Sequence, residues 1–225
     1  LGGLFLGMPG MMSSLPRVAE AFRRGEGVRF ADYGSDMPLA LEAMNRSVYE
    51  NRLVRDWLKA LPEAVQRLQQ GGRALDVGCG TGIVPITLAK AFENATVAGI
   101  DLDARSIDIA RLRAREAGVE QRVLWLQGPV ESLPKETPWD LITTFDVIHD
   151  LPDPQAALRH IRDALADGGT YLMVEPKVAD ELAQNLGNPF ARMLYGMGCL
   201  PCVPQSLAQG GPGLGACWGE SRARR

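Results

Sequence analysis

The sequence predicts an α/β domain built on a doubly wound, mostly parallel sheet, preceded by helices. Three observations lead there. From Arg73 onward, short apolar runs alternate with stretches of helical period, the pattern of parallel strands with covering helices. A glycine-rich turn, Gly78-Cys79-Gly80-Thr81-Gly82, joins the first of these strands to a helix. The next strand ends on a carboxylate, Asp101.

The elements follow in order. Leu15, Val18, Ala19 and Phe22 repeat at helical spacing, and Gly25 closes that helix. A loop over residues 28–34 carries Phe30 and Tyr33. The next helix starts near Ser47, with Leu53, Val54, Trp57, Leu58 and Leu61 on one face; Pro62 interrupts it and Gly71-Gly72 ends its extension. Strands are predicted over 74–77, 96–100, 122–126, 141–145 and 170–174, with a helix over 83–92 and another through Ile107, Ala110, Ala114 and Ala117. Asp153-Pro154 caps and opens the helix after the fourth strand. A last helix through Leu182, Leu186, Met193 and Leu194 leads to a Gly/Pro-rich stretch over 210–215. On this reading residues 1–70 form a helical cap or lid, and 71–225 the ligand-binding domain.

Composition narrows the function. With 225 residues, 46% apolar and 23% charged, the chain can bury a core without disulfides or metals. A net charge of −3 leaves no electrostatic footprint for nucleic acid or an anionic membrane. The basic end, Arg222-Ala223-Arg224-Arg225, reads as a solvated helix end. Residues 1–12 are apolar but lack a basic flank and are too short to span a bilayer. The partner expected is a small molecule. Four scattered cysteines make no disulfide framework and suit a reducing, cytoplasmic setting. Cys199-x-x-Cys202 lacks the second pair a structural zinc site needs, so the two read as packing cysteines, and no metal is expected. A chain that opens on Leu reads as a fragment or a processed product.

The glycine-rich turn carries the chemistry. Glycines between a strand and a helix let the backbone turn tightly and approach a ligand in the crevice at the strand ends. Asp101 follows Gly82 by 19 residues, where a carboxylate can accept both ribose hydroxyls of a nucleoside. Its competing role is a helix N-cap, for which Asp103 is the rival. The dinucleotide pattern fails, because its third glycine falls at Ile83. Asp76 beside the turn would repel a phosphate and suits a ligand bearing positive charge.

The run Leu75-Asp76-Val77-Gly78-Cys79-Gly80-Thr81-Gly82, followed by Gly99-Ile100-Asp101-Leu102-Asp103, resembles the first two motifs of class I S-adenosylmethionine (SAM)-dependent methyltransferases. Phe145-Asp146-Val147-Ile148-His149-Asp150-Leu151, then Asp153-Pro154, is similar to the motif after the fourth strand in one group of them. Val174-Glu175-Pro176 fits that group too, as do Tyr195, Cys202, Ser206-Leu207 and Gly213-Leu214-Gly215. The resemblance implies a Rossmann-like sheet of order 3-2-1-4-5 with SAM as cofactor. It implies that Gly78, Gly80 and Gly82 pack against the methionyl part, that Asp101 holds the ribose and that Leu102 lies against the adenine; Asp76, Cys79, Thr81 and Phe145 are further cofactor-binding candidates beside them. Two departures stand out. Pro129 occupies the turn after the third strand where an acid is expected, which leaves the adenine to the Val130 backbone N–H with Glu131 nearby. The family's last two strands and its N-terminal winged-helix module are missing, so a truncated domain is expected; an open sheet edge is a liability that a homodimer could cover.

His149 and Asp150 follow the fourth strand. His149 could take a proton from an acceptor, with Asp150 orienting it or acting as the base; alternatively both only fix the loop. Glu175 divides evenly between lining the acceptor site and bonding backbone. Tyr33, with Phe30, could fold over the cofactor as a lid, or pack in the core. Phe190, Met193, Leu194 and Met197 suit a small, partly apolar acceptor. The expected activity is SAM-dependent methyl transfer to such an acceptor at O, N or C. The alternative is a SAM-binding regulatory module without activity.

Overall fold

Strands inside a parallel sheet are covered on both faces and therefore read as near-continuous apolar runs. The central strands here do so: Ala74, Leu75, Val97, Ala98, Leu141 and Ile142 are fully buried. The computed structural model of the chain describes residues 2–133 and 137–224. Its strands are β1 (Arg73–Val77), β2 (Thr96–Asp101), β3 (Val123–Gln127), β4 (Trp139–Phe145) and β5 (Leu165–Val174), in the order β3-β2-β1-β4-β5. This is the expected sheet. β1 runs parallel to β2 and β4, and β2 parallel to β3; Leu75 pairs with Ala98 on one side and Ile142 on the other. β5 begins at Leu165, earlier than the predicted 170, and follows its helix directly.

The helices are α1 (Gly2–Arg24), α2 (Met37–Arg52), α3 (Pro62–Gln69), α4 (Ile83–Ala91), α5 (Ala104–Glu116), α6 (Pro154–Ala164), α7 (Leu182–Asn185), α8 (Pro189–Cys199), α9 (Cys202–Ala208) and α10 (Glu220–Ala223). α3 packs on β1 and β4, α4 on β1 to β3, and α5 on β2 and β3. Asp103 caps α5 by accepting the Ser106 N–H at 2.9 Å, and Asp153 accepts that of Ala156 at 2.8 Å. Three helices differ from expectation. α1 begins at Gly2, well before Leu15, where the predicted spacing starts. α2 starts at Met37, not Ser47, and gives way to a π-helical turn over Leu53–Trp57. The predicted helix through Leu182 and Leu194 is two: Asn188 accepts the N–H groups of Phe190 and Ala191, and Pro189 opens α8.

The chain divides into two compact units. The first comprises Pro38–Phe145 and Ala157–Met173 with the first residues of the chain, and contains the sheet. The second comprises Met8–Met37, Asp146–Ala156 and the chain from Val174 on. Within the second, Tyr33 is fully buried and its hydroxyl donates to the Leu200 carbonyl. The Ser206 hydroxyl accepts the Gly213 N–H at 3.2 Å, and the Val28 N–H donates to the Pro204 carbonyl at 2.9 Å. Among the described residues, no helix is long and apolar enough to cross a membrane.

Candidate functional site

In the first unit, strand order reverses at β1, and the loop after β1 lies at that switch point. Gly78, Gly80 and Gly82 all take positive φ, at 70°, 50° and 85°. Gly82 illustrates why no side chain fits. A Cβ there would stand 2.5 Å from the Trp125 ring and 2.9 Å from the Ala110 Cβ. The loop's amides are mostly spent inside the protein. The Gly78 and Cys79 N–H groups donate to the Ile100 carbonyl at 2.8 and 3.1 Å, and that of Gly82 to the Cys79 carbonyl at 2.9 Å. The Gly80 N–H donates to Asp101 Oδ2 at 2.8 Å. A pyrophosphate needs free backbone donors, and this loop has few to offer.

Asp101 ends β2. Its Oδ1 accepts the Asp103 N–H at 2.9 Å, so each oxygen holds one backbone amide. A carboxylate has roughly four lone-pair positions, which leaves capacity for a diol. Burial raises the Asp101 pKa, partly offset by those amides. Asp76, on β1, is fully buried; the Thr143 hydroxyl donates to its Oδ1 at 2.6 Å. Burial pushes its pKa up to about 8, against the Thr143 hydrogen bond and helped by the Asp101 charge. Burial likewise raises the Cys79 thiol.

Leu102, the next residue, leaves half its surface exposed, while Val130 is buried in the turn after β3. The Gly128 N–H bonds the Asp101 carbonyl at 3.0 Å, which brings that turn, with Pro129 and the exposed Glu131, beside the end of β2. Phe145 ends β4 stacked on Trp57, centroids 5.7 Å apart, with Tyr49 4.9 Å away. The π-helical turn supplies Trp57.

Sequence reasoning missed what anchors the loop. The Thr81 hydroxyl donates to Glu42 Oε2 at 2.8 Å. Glu42, buried on α2, also pairs with Arg46 and Arg113. The partners lie 39 residues apart, and Glu42 falls in the part of α2 that the apolar spacing did not reveal.

The remaining candidates lie in the second unit. His149 is buried. Its Nδ1 meets Glu175 Oε2 at 2.5 Å, and Glu175 Oε1 accepts the Ile148 N–H at 2.9 Å. Glu175 thus bonds both backbone and His149. His149 Nε2 lies 3.4 Å from Asp150 Oδ1, which is closed off from solvent and accepts no hydrogen bond. Cys202 completes the group: one ligand atom each from His149, Asp150 and Cys202 lie within 4.8 Å of one another. Burial lowers the His149 pKa, but the Cys202 and Glu175 hydrogen bonds and the two carboxylate charges push it up to about 11. Burial raises Asp150 to about 6 against the opposing charge of His149. Asp146, just before, holds φ at 56°, which Asp tolerates better than most residues. The structure therefore gathers the loop, Asp76, Asp101, Leu102 and the 128–131 turn in one unit, and His149, Asp150 and the buried Tyr33 in the other.

Known proteins bear on these two sets of residues. Residues 68–201 match a family model described as a methyltransferase domain. A ubiquinone biosynthesis O-methyltransferase of Bordetella avium (strain 197N) is 37% identical over 121 residues, 53% of this chain and 47% of that protein. One of Paracidovorax citrulli (strain AAC00-1) is 35% identical over 132 residues, 57% of this chain and 52% of its own. The chain thus spans about half the length of these curated relatives. Among solved structures, a putative O-methyltransferase of Nostoc punctiforme aligns over 98% of this chain and 63% of its own, with TM-score 0.67 and 17% identity, a likeness of fold.

Proposed function

The chain belongs to the methyltransferase-domain family, and from that premise we propose that it transfers the methyl group of SAM to a small-molecule acceptor. The carrying observation is the loop after β1, whose Gly78, Cys79, Gly80 and Gly82 amides are spent inside the protein beside two carboxylates. That donor set suits a cationic nucleoside and not a pyrophosphate. Asp101 would hold the ribose, Asp76 and the Gly78–Gly82 loop the methionyl end, and Leu102 with the 129–131 turn the adenine. SAM supplies a methyl group on a positively charged sulfur, open to in-line attack. The chain's part is to fix the donor and to manage the acceptor's proton.

For that proton we assign Asp150. Its side chain keeps 21% of its surface open, so its carboxylate is within reach of an acceptor. His149, held at Nδ1 by Glu175, orients it. As the acceptor's oxygen bonds the methyl carbon and the carbon–sulfur bond breaks, the acceptor's proton passes to Asp150. An oxygen acceptor is the choice the O-methyltransferase relatives support, and the exposed Phe190 and Met193 on α8 suit an apolar one.

Calorimetry is expected to register binding of SAM and of its demethylated product but none of NAD, and labelled SAM to mark a small-molecule pool. Binding of NAD in place of SAM would overturn the reading; SAM binding without transfer would leave a regulatory module. Asp150→Asn is expected to lower kcat by roughly a hundred- to ten-thousand-fold, the usual worth of a positioned base, with SAM affinity unchanged. An unaltered kcat would refute the assignment.

A further inference from the structure

The same corner of the second unit holds three side chains arranged as cation ligands. We propose that His149 Nε2, Asp150 Oδ1 and Cys202 Sγ bind one soft divalent metal ion, of the zinc class. Three features carry this beyond a chance cluster. The ligand atoms lie within 4.8 Å of one another, close enough for one ion to bridge with small side-chain adjustments. Asp150 Oδ1 is shut away from water and makes no hydrogen bond, facing His149 Nε2 across 3.4 Å, a gap that an ion held by both would close. Glu175 takes His149 Nδ1 at 2.5 Å, which turns Nε2 toward the other two ligands. A carboxylate behind a ligating histidine is the usual device for fixing its ring and tautomer.

The donor types select the metal. A thiolate, an imidazole and one carboxylate suit zinc, whereas magnesium and calcium call for oxygen ligands. Three protein ligands leave a fourth position for water or a ligand. Binding displaces the Cys202 thiol proton and any proton on Nε2. The Cys199-x-x-Cys202 spacing, which suggests a two-cysteine chelate, is not the arrangement proposed: Cys199 is exposed and is not among the three grouped ligands. An ion and an acceptor's proton would compete for the Asp150 carboxylate, so the two uses alternate. Metal binding at these three side chains does not depend on methyl transfer.

The test is competition of the metal-free chain against a chromophoric chelator for Zn²⁺, with Mg²⁺ as comparison. One Zn²⁺ per chain and no competition by Mg²⁺ are expected. Cys202→Ser and Asp150→Asn should each abolish tight binding, Cys199→Ser should leave it unchanged, and Glu175→Gln should weaken it about ten- to a hundred-fold. Co²⁺ added to the unaltered chain should produce the ultraviolet charge-transfer absorption of a thiolate–metal bond, which needs no variant to fold. Absence of that absorption, or Zn²⁺ affinity equal in Cys202→Ser and the unaltered chain, overturns the proposal.

Discussion

Replacing Asp101 with Ala is expected to weaken SAM binding by roughly two to four orders of magnitude. The side chain would accept two ribose hydroxyls while already holding the Gly80 and Asp103 amides. A hydrogen bond to a charged group is worth about 1.5–3 kcal/mol, so losing two costs about 3–6 kcal/mol. The Gly80 amide also loses its anchor, which frees the loop that the ligand must meet. Asp103, not Asp101, caps α5, so the helix keeps its own cap and the effect should fall on binding more than on folding. Calorimetric titration with SAM and its demethylated product decides it. Undiminished affinity would refute the ribose assignment.

The second large effect is on stability and its dependence on pH. Asp76 has a pKa of about 8 in the folded chain against 3.8 for the free side chain, chiefly because it is buried. A carboxyl whose pKa rises on folding binds its proton more tightly in the native state. Its contribution is therefore complete below pH 3.8 and is lost as pH climbs to about 8, after which it stays lost. The gap corresponds to roughly 6 kcal/mol. Asn at this position keeps the shape and can still accept from Thr143, but never ionises. Asp76→Asn should match the unaltered chain in acid and gain a growing advantage through that window, then hold it. Urea unfolding on both sides of the window measures this; a constant difference between the two chains would contradict it. SAM affinity should fall in the same variant, since a carboxylate beside the methionyl end is lost. Ionising an acid there costs stability, and a bound cation would offset that cost.

Legibility in the sequence follows the range of the interactions. The strands could be read because each is a local apolar run, and the glycine loop because its neighbours in sequence give it its context. Asp103 and Asp153 could be recognised as caps for the same reason. The pairing of Glu42 with Thr81, and of His149 with Glu175 and Cys202, could not: each joins residues that only the tertiary fold brings together. Cys202 read as a packing cysteine, because His149 and Asp150, which the fold sets beside it, lie more than 50 residues away in sequence. Asn188-Pro189 is a different failure. Its cap signal was present, and the apolar spacing that runs across it concealed the break.

The indole of Trp125 fills the space where side chains at Gly82 and Gly99 would stand, its ring nitrogen enclosed and unpartnered. A fluorophore so placed is a built-in optical gauge. Any occupant that nudges the glycine turn alters the surroundings of that ring and hence its emission, while Trp139, fully buried under the Arg73 guanidinium 4.4 Å away, stays a steady background.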